Sequence, residues 1–228
     1  NNGGDALAVA RLLAEKGYQV KAYLFNTKGY LSADCEENKQ RLLEMKEVDF
    51  HEVTSQFVPP ALTINHVVID GLFGSGLNKP LEGGFASVVK YINASLATIV
   101  AIDVPSGLMG EENLYTPQTA IIKANLTLTL QQPKLAFLFA ENHPYVGEWE
   151  VLDIGLSKQA IEAGHQSVSL GVDGQHDAVA VGDDAGVGLP TLDGLGVPCA
   201  AVNLCIDTSL QDGLHSLHVG SVFHLDQN

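Results

Sequence analysis

The chain has 228 residues, with 12 Lys and Arg against 27 Asp and Glu, a formal charge of −15. Hydrophobic residues make up 46% and charged residues 17%, so the chain has enough apolar matter for a real core and is not disordered throughout. The acidic balance disfavours nucleic acid and anionic membranes as partners, although backbone N–H groups still hold a phosphate locally.

In chain order, Asp5 to Lys16 reads as a helix with Leu7, Ala10, Arg11, Leu13 and Ala14 on one mostly apolar stripe, closed by Gly17. Tyr18 to Phe25 reads as a strand. Asp34 with Glu37 forms a capping-box pattern that opens a helix to about Lys46. Strands are expected over Val48 to Val53, His66 to Asp70 and Thr98 to Asp103, the last two being apolar runs that end in a carboxylate. Between these two lie a Gly-rich loop, Gly71 to Gly84, and a helix, Phe85 to Asn93. Further strands are expected over Ala124 to Leu130, Leu135 to Phe139 and Glu148 to Ile154. Strands alternating with helices predict a parallel sheet covered on both faces, an α/β sandwich of three layers. Ligands then sit outside the carboxyl ends of the strands, where Asp70 and Asp103 fall.

Composition changes along the chain. From Ala163 to Asn228 there is no Lys, Arg, Glu, Tyr, Trp or Met, where about ten Lys, Arg or Glu are expected. Eight Asp residues stand there instead, with five of the eight His. Residues 163–228 are therefore read as an atypical acidic tail after a domain over 1–162. It is a small β-rich module, a disordered extension, or a stretch translated out of frame. His215, His218 and His224 are read as incidental surface histidines before they are read as metal ligands. Cys35, Cys199 and Cys205 are too few for a disulfide framework or a zinc site, and fit a reducing compartment. No apolar run is long enough to span a membrane. The chain starts at Asn1 without Met, as a fragment lacking its true N-terminus does.

Three stretches carry candidate chemistry. Asn1, Asn2, Gly3, Gly4 and Asp5 open a helix whose free N–H groups and dipole favour an anion such as a diphosphate; a plain capped helix start is the competing reading. Gly74, Ser75, Gly76, Leu77, Asn78, Lys79 and Pro80 form a loop flexible enough to wrap a ligand, with Lys79 offered to a phosphate, or a plain solvent loop. Asp103, followed by Val104, Pro105, Ser106 and Gly107, places a carboxylate and a hydroxyl at one rim, or is a structural Asp capping its loop. Oxygens from Asn2, Asp70 and Ser106 suit a hard monovalent or divalent cation better than zinc. Cys35 sits near a helix start, where a thiol pKa can fall, but no His partner is apparent. His51, His66 and His143 read as ordinary loop or core-edge histidines.

The motifs NNGGD, DGLFGSGLNKPLEG, AIDVPSG, NLTLTLQQPKLAFL and GEWEVLDIGL occur in that order over residues 1–162. Together they resemble the NAD(P)H-hydrate epimerase family, the apolipoprotein A-I-binding-protein-like Rossmann domain. The resemblance implies an isomerase that interconverts the R and S epimers of NADHX and NADPHX, cofactors hydrated at C6 of the reduced ring. It implies that Asn1 to Asp5 and Gly74 to Pro80 line the substrate, that Asp103 is the catalytic carboxylate, and that Asn2, Asp70 and Ser106 hold one potassium ion per subunit. The implied partners are an ADP- or ATP-dependent NAD(P)H-hydrate dehydratase, separate or fused, and a second copy in a homodimer. Nucleic acid and membrane are not expected, and the expected compartment is the cytoplasm.

The sequence departs from that pattern in two places. The family carries a first strand before the phosphate loop, and its absence here predicts a gap in the sheet and a chain that folds poorly alone. The family motif continues with Gly where Ala6 stands. Two other functions compete. One is a non-catalytic Rossmann-like ligand-binding or scaffold module of the RNA-decay type. The other is a dehydrogenase domain, disfavoured by the lack of G-x-G-x-x-G.

Overall fold

The computed structural model describes residues 2–111, 113, 120–159, 161 and, as backbone, 201–207. They fall into two compact units, Asn1–Leu152 with Pro198–Asn228, and Asp153–Val197. In the second unit the described residues are 153–159 and 161; there the Ile161 N–H donates to the Ser157 carbonyl at 3.1 Å, one helical turn.

In the first unit the order is α1 (Asn2–Glu15), β1 (Gln19–Phe25), α2 (Ala33–Leu43), β2 (Val48–Val53), β3 (His66–Gly71) and α3 (Gly83–Asn93). Then follow β4 (Thr98–Ile102), β5 (Leu126–Leu130), a 3-10 turn (Leu135–Leu138), α4 (His143–Val146), β6 (Glu148–Leu152) and β7 (Ala201–Asp207). One seven-stranded sheet runs β2-β1-β7-β3-β4-β5-β6. Every pair is parallel except those of β7, which lies antiparallel to β1 and β3.

Strand alternation sends side chains to both faces. Val20, Ala22 and Leu24 of β1 pack with Leu7, Ala10 and Leu13 of α1 and Leu42 of α2. Tyr23 and Phe25 of the same strand pack with Val88, Val89 and Ile92 of α3. The three-layer α/β/α reading holds. α1 stops at Gly17, whose φ of +87° is free of cost only to glycine.

Several boundaries differ from expectation. α1 begins at Asn2, so Asn2, Gly3 and Gly4 are its first turn rather than a loop ahead of it. α2 is capped by Ser32, whose side chain accepts the Cys35 N–H; Asp34 lies inside the first turn, and the helix stops at Leu43, not near Lys46. Residues 135–138 form a 3-10 turn, not a strand. Its N–H groups are not offered to a strand neighbour: Phe137 N–H donates to Lys134 O at 3.0 Å, one tight turn back, and Ala136 N–H to the Gly110 carbonyl in the distant loop after β4 at 2.9 Å. The expected gap in the sheet is not seen, because β7 pairs on both sides in it, with Leu204 opposite Ala22 and Ile69. Backbone groups that a gap would leave bare are therefore paired.

Candidate active site

β3 and β4 are parallel neighbours with Asp70 opposite Ala101, so Asp70 and the Asp103 that follows β4 share one edge. This is the carboxyl edge of the sheet, beside the point where chain progression reverses between β1 and β3. Two apolar runs of similar length, each closed by Asp, were enough to place both residues there.

Asp70 is fully buried. Its Oδ1 accepts from Ser106 Oγ at 2.7 Å and from the Leu72 N–H at 3.3 Å. Its Oδ2 accepts from the Ser106 N–H at 2.8 Å. Burial pushes its pKa up to about 6, against the opposing pull of these three hydrogen bonds. No cationic side chain pairs with it among the described residues. Ser106 Oγ also accepts from the Phe73 N–H at 2.9 Å, tying β4's exit to the loop after β3. Gly107 holds the next turn at φ +99°, where a Cβ would lie 2.1 Å from the Ala120 carbonyl oxygen, so only glycine fits.

Asn2 reaches the same edge from α1. Its Nδ2 donates to the Ile102 carbonyl at 2.8 Å, and a Cβ built on Gly74 would meet its Oδ1 at 2.5 Å. The Gly74 backbone therefore lies against the Asn2 amide, next to Phe73 and hence to Ser106. The oxygen set that the sequence pointed to is gathered through direct bonds and one close backbone approach. It offers a single carboxylate among neutral oxygens, and divalent sites normally use more carboxylates. An unpaired buried carboxylate fits a cation of low charge. Among the described residues no group of three His, Cys, Asp or Glu side chains stands ready for a metal.

Asp103 has a positive φ of 65°, rare for a residue with a Cβ. It forms a three-residue turn, with the Val104 N–H on the Ile102 carbonyl at 2.8 Å, while its own N–H donates to Leu128 O at 2.8 Å. Such strain costs about 1–3 kcal/mol and clusters at functional sites. Its Oδ2 accepts the Ser75 N–H at 3.0 Å. Its Oδ1 accepts the Leu130 N–H at 3.4 Å and lies 2.9 Å from Lys134 Nζ. Burial pushes its pKa up, but the hydrogen bond and charge of Lys134, with the Ser75 N–H, more than offset this and hold it below the usual carboxylate value. Asp5 moves the other way, raised by burial and by the Asp103 and Asp34 charges. The acidic end of α1 thus feels the same pocket.

Lys134 was not singled out from the sequence. It follows Gln131, also at positive φ (63°), and its Nζ donates to the carbonyls of Leu130 and Gln132 at 3.1 Å each. A Lys in the loop after a buried strand, on the edge that holds both Asp residues, was the signal available.

Other expected positions fall differently. In the 74–80 loop the Leu77 N–H closes a turn on the Gly74 carbonyl at 3.1 Å. Ser75, Gly76, Asn78 and Lys79 are exposed, and Lys79 makes no ion pair among the described residues. Asn1, Cys199, His215, His218 and His224 lie outside the described residues. Cys35 is buried, and burial pushes its thiol up to about 11, so a lowered thiol pKa is ruled out there. His51 pairs with Asp49 at 2.9 Å on an edge strand, and His66 bonds Thr63 at the opposite end of β3.

Comparison with known proteins places these residues in a family. Residues 1–136 match the family described as YjeF-related protein N-terminus. The chain is 37% identical over 156 residues to an NAD(P)H-hydrate epimerase of Lentilactobacillus buchneri, covering 68% of this chain and 69% of that protein. It is 31% identical over 153 residues to an NAD(P)H-hydrate epimerase of Limosilactobacillus fermentum, covering 67% and 70%. It is 33% identical over 166 residues to a bifunctional NAD(P)H-hydrate repair enzyme of Thermofilum pendens, covering 71% of this chain but 31% of that one. No helix among the described residues is long and apolar enough to cross a membrane.

Proposed function

We propose that this chain, which belongs to the YjeF-related protein N-terminus family, is an NAD(P)H-hydrate epimerase, an isomerase that interconverts the R and S epimers of NADHX and NADPHX. The observation that carries the reading is Asp103, a strained and buried carboxylate held ionised by Lys134 beside the Asp70–Ser106 pair.

The chemistry follows from the substrate. The C6 hydroxyl is adjacent to the ring nitrogen. When the C6–O bond breaks, the nitrogen lone pair forms an iminium-like cation and the oxygen leaves as water once protonated. Water then returns to either face of the flat ring and gives up a proton. An ionised Asp103 stabilises the cation by its charge. Because its pKa is held low, Asp103 is better placed to accept a proton than to bring one. The Lys134 ammonium, 2.9 Å from Asp103 Oδ1, is a proton-bearing group at hydrogen-bond distance and a candidate donor to the leaving oxygen.

Asn2, Gly3, Gly4 and Asp5 and the loop from Gly74 to Pro80 line the substrate in this reading, supported by Ser75 bonding Asp103 and Gly74 abutting Asn2. Asn2, Asp70 and Ser106 would hold a potassium ion, which supplies the counter-charge that Asp70 lacks. The natural partner is an NAD(P)H-hydrate dehydratase that removes the S epimer. Fusion of two activities in the bifunctional relatives supports that pairing. A cytoplasmic site of action fits a reaction on the nicotinamide pool and a buried free thiol at Cys35.

The test starts from R-NADHX purified free of the S form. With the chain present, the epimer ratio read by chromatography should relax to equilibrium much faster than in buffer. Equal rates with and without the protein reject the assignment.

A further inference from the structure

β4 and β5 leave the sheet by the same unusual route. Among the described residues, Asp103 and Gln131 are the two that have a positive φ without being glycine, at 65° and 63°. Each stands one residue past the end of its strand. Each is the middle of a three-residue turn: the Val104 N–H donates to the Ile102 carbonyl at 2.8 Å, and the Gln132 N–H to the Leu130 carbonyl at 2.7 Å. Turns of this hand are rare and strained. The strain at Asp103 presents a carboxylate. The strain at Gln131 presents backbone carbonyls.

The two carbonyls that flank Gln131 meet on one cation. Leu130 O and Gln132 O each accept from Lys134 Nζ at 3.1 Å, and Asp103 Oδ1 lies 2.9 Å from the same atom. An ammonium has three N–H donors, and here each has an acceptor. Lysine is a point charge on a flexible four-carbon stem, so acceptors on three sides fix where that charge stands. The seat is braced from outside. Thr129, fully buried, donates its hydroxyl to the Gln132 carbonyl at 3.3 Å. The Gln131 N–H donates to Leu152 O at the end of β6 at 2.7 Å, and the Ala136 N–H ties the chain beyond Lys134 to Gly110 O at 2.9 Å. The Leu130 N–H donates to Asp103 Oδ1 at 3.4 Å, which joins the two turns directly.

We propose that Gln131 is a positioning residue for the reaction: its left-handed backbone, not its side chain, places the Leu130 and Gln132 carbonyls so that the Lys134 ammonium is seated on Asp103. The effect on turnover rests on the epimerase reading, but the seat itself is tested without turnover.

The readout is the lysine ammonium signal in proton–nitrogen NMR spectra of the whole 228-residue chain at neutral pH. An ammonium open to water exchanges its protons too fast to be seen, whereas one with every proton bonded gives a signal. Lys134→Met identifies the signal of Lys134 by its loss. Gln131→Gly and Gln131→Val both remove the amide side chain, but glycine accepts a positive φ and a β-branched residue does not. Gln131→Gly should keep the Lys134 signal. Gln131→Val should lose it, while the amide signals of β4 and β5 stay in place. Thr129→Val removes the brace on the Gln132 carbonyl and should weaken the signal. In turnover, kcat of Gln131→Val should fall about tenfold or more below that of Gln131→Gly, with KM kept. Wild type without a Lys134 signal, a signal that survives in Gln131→Val, or a signal lost equally in Gln131→Gly overturns the proposal. Should Gln131→Val fail to fold, an unchanged signal in Thr129→Val overturns it. A signal lost in Gln131→Val alone of the two, with no epimerisation by wild type, upholds the seat and rejects the epimerase reading. Epimerisation by wild type with the signal intact in Gln131→Val does the reverse.

Discussion

Lys134 Nζ and Asp103 Oδ1 stand 2.9 Å apart, both largely buried, at the carboxyl ends of neighbouring strands. The Lys134 charge and hydrogen bond overcome burial and keep Asp103 ionised.

Lys134→Met should therefore let the Asp103 pKa climb. The acid limb of the rate–pH profile moves to higher pH, and raising the pH restores part of the lost rate. Stability carries the same sign. Asp103 in the fold titrates below its unfolded value of about 3.9, so its contribution is present above that pH and fades as pH falls through the folded value. Removing Lys134 removes that contribution, and the acid-unfolding midpoint should rise. An acid limb that stays in place would show that Lys134 does not tune Asp103.

The buried Asp70 carboxylate has only neutral hydrogen-bond donors. A bound potassium ion should stabilise the fold at neutral pH by mass action. Replacing tetramethylammonium chloride by potassium chloride at equal ionic strength should raise Tm by several degrees, about 2–4 °C for each kcal/mol in a chain of this size. Asp70→Asn should abolish the difference. Identical melting in the two salts for wild type would argue against a cation at these oxygens.

β7 pairs with β1 and β3 at once, so its backbone joins two halves of the sheet. Leu204→Pro deletes one ladder N–H in a central strand, where proline is not tolerated, and should lower Tm. Amide exchange at Ala22 and Ile69, which face Leu204 in the register, should accelerate together. Unchanged melting and unchanged exchange at both positions would mean that residues 201–207 do not complete the sheet in solution.

The legible part of this protein was its strand–helix alternation and the two carboxylates that close apolar runs. Continuous apolar strands fix a covered parallel sheet, and a fixed sheet fixes its carboxyl edge, so Asp70 and Asp103 fall together from the strand pattern alone. Ser106 followed because it lies three residues beyond Asp103 on the same exit. The rest depended on tertiary contacts that local pattern does not encode. Lys134 is one lysine among several loop lysines until the chain returns it to Asp103. Leu135 to Leu138 is a short apolar run, and such runs do not separate strand from tight helix by period. Ser32 and Asp34 are both good caps, and the Cys35 N–H decides between them. The strand Ala201–Asp207 itself was hidden, because it lies in the compositionally atypical stretch, where no clean period marks a strand.

If this reading holds, the Asp103 carboxylate carries the epimerisation. Its most direct test is the rate of R-to-S conversion of NADHX by wild type and by Asp103→Asn, with both proteins matched in circular dichroism and Tm. The variant should be slower by about a hundredfold or more. A variant that equilibrates the epimers within a few-fold of the wild-type rate would contradict it.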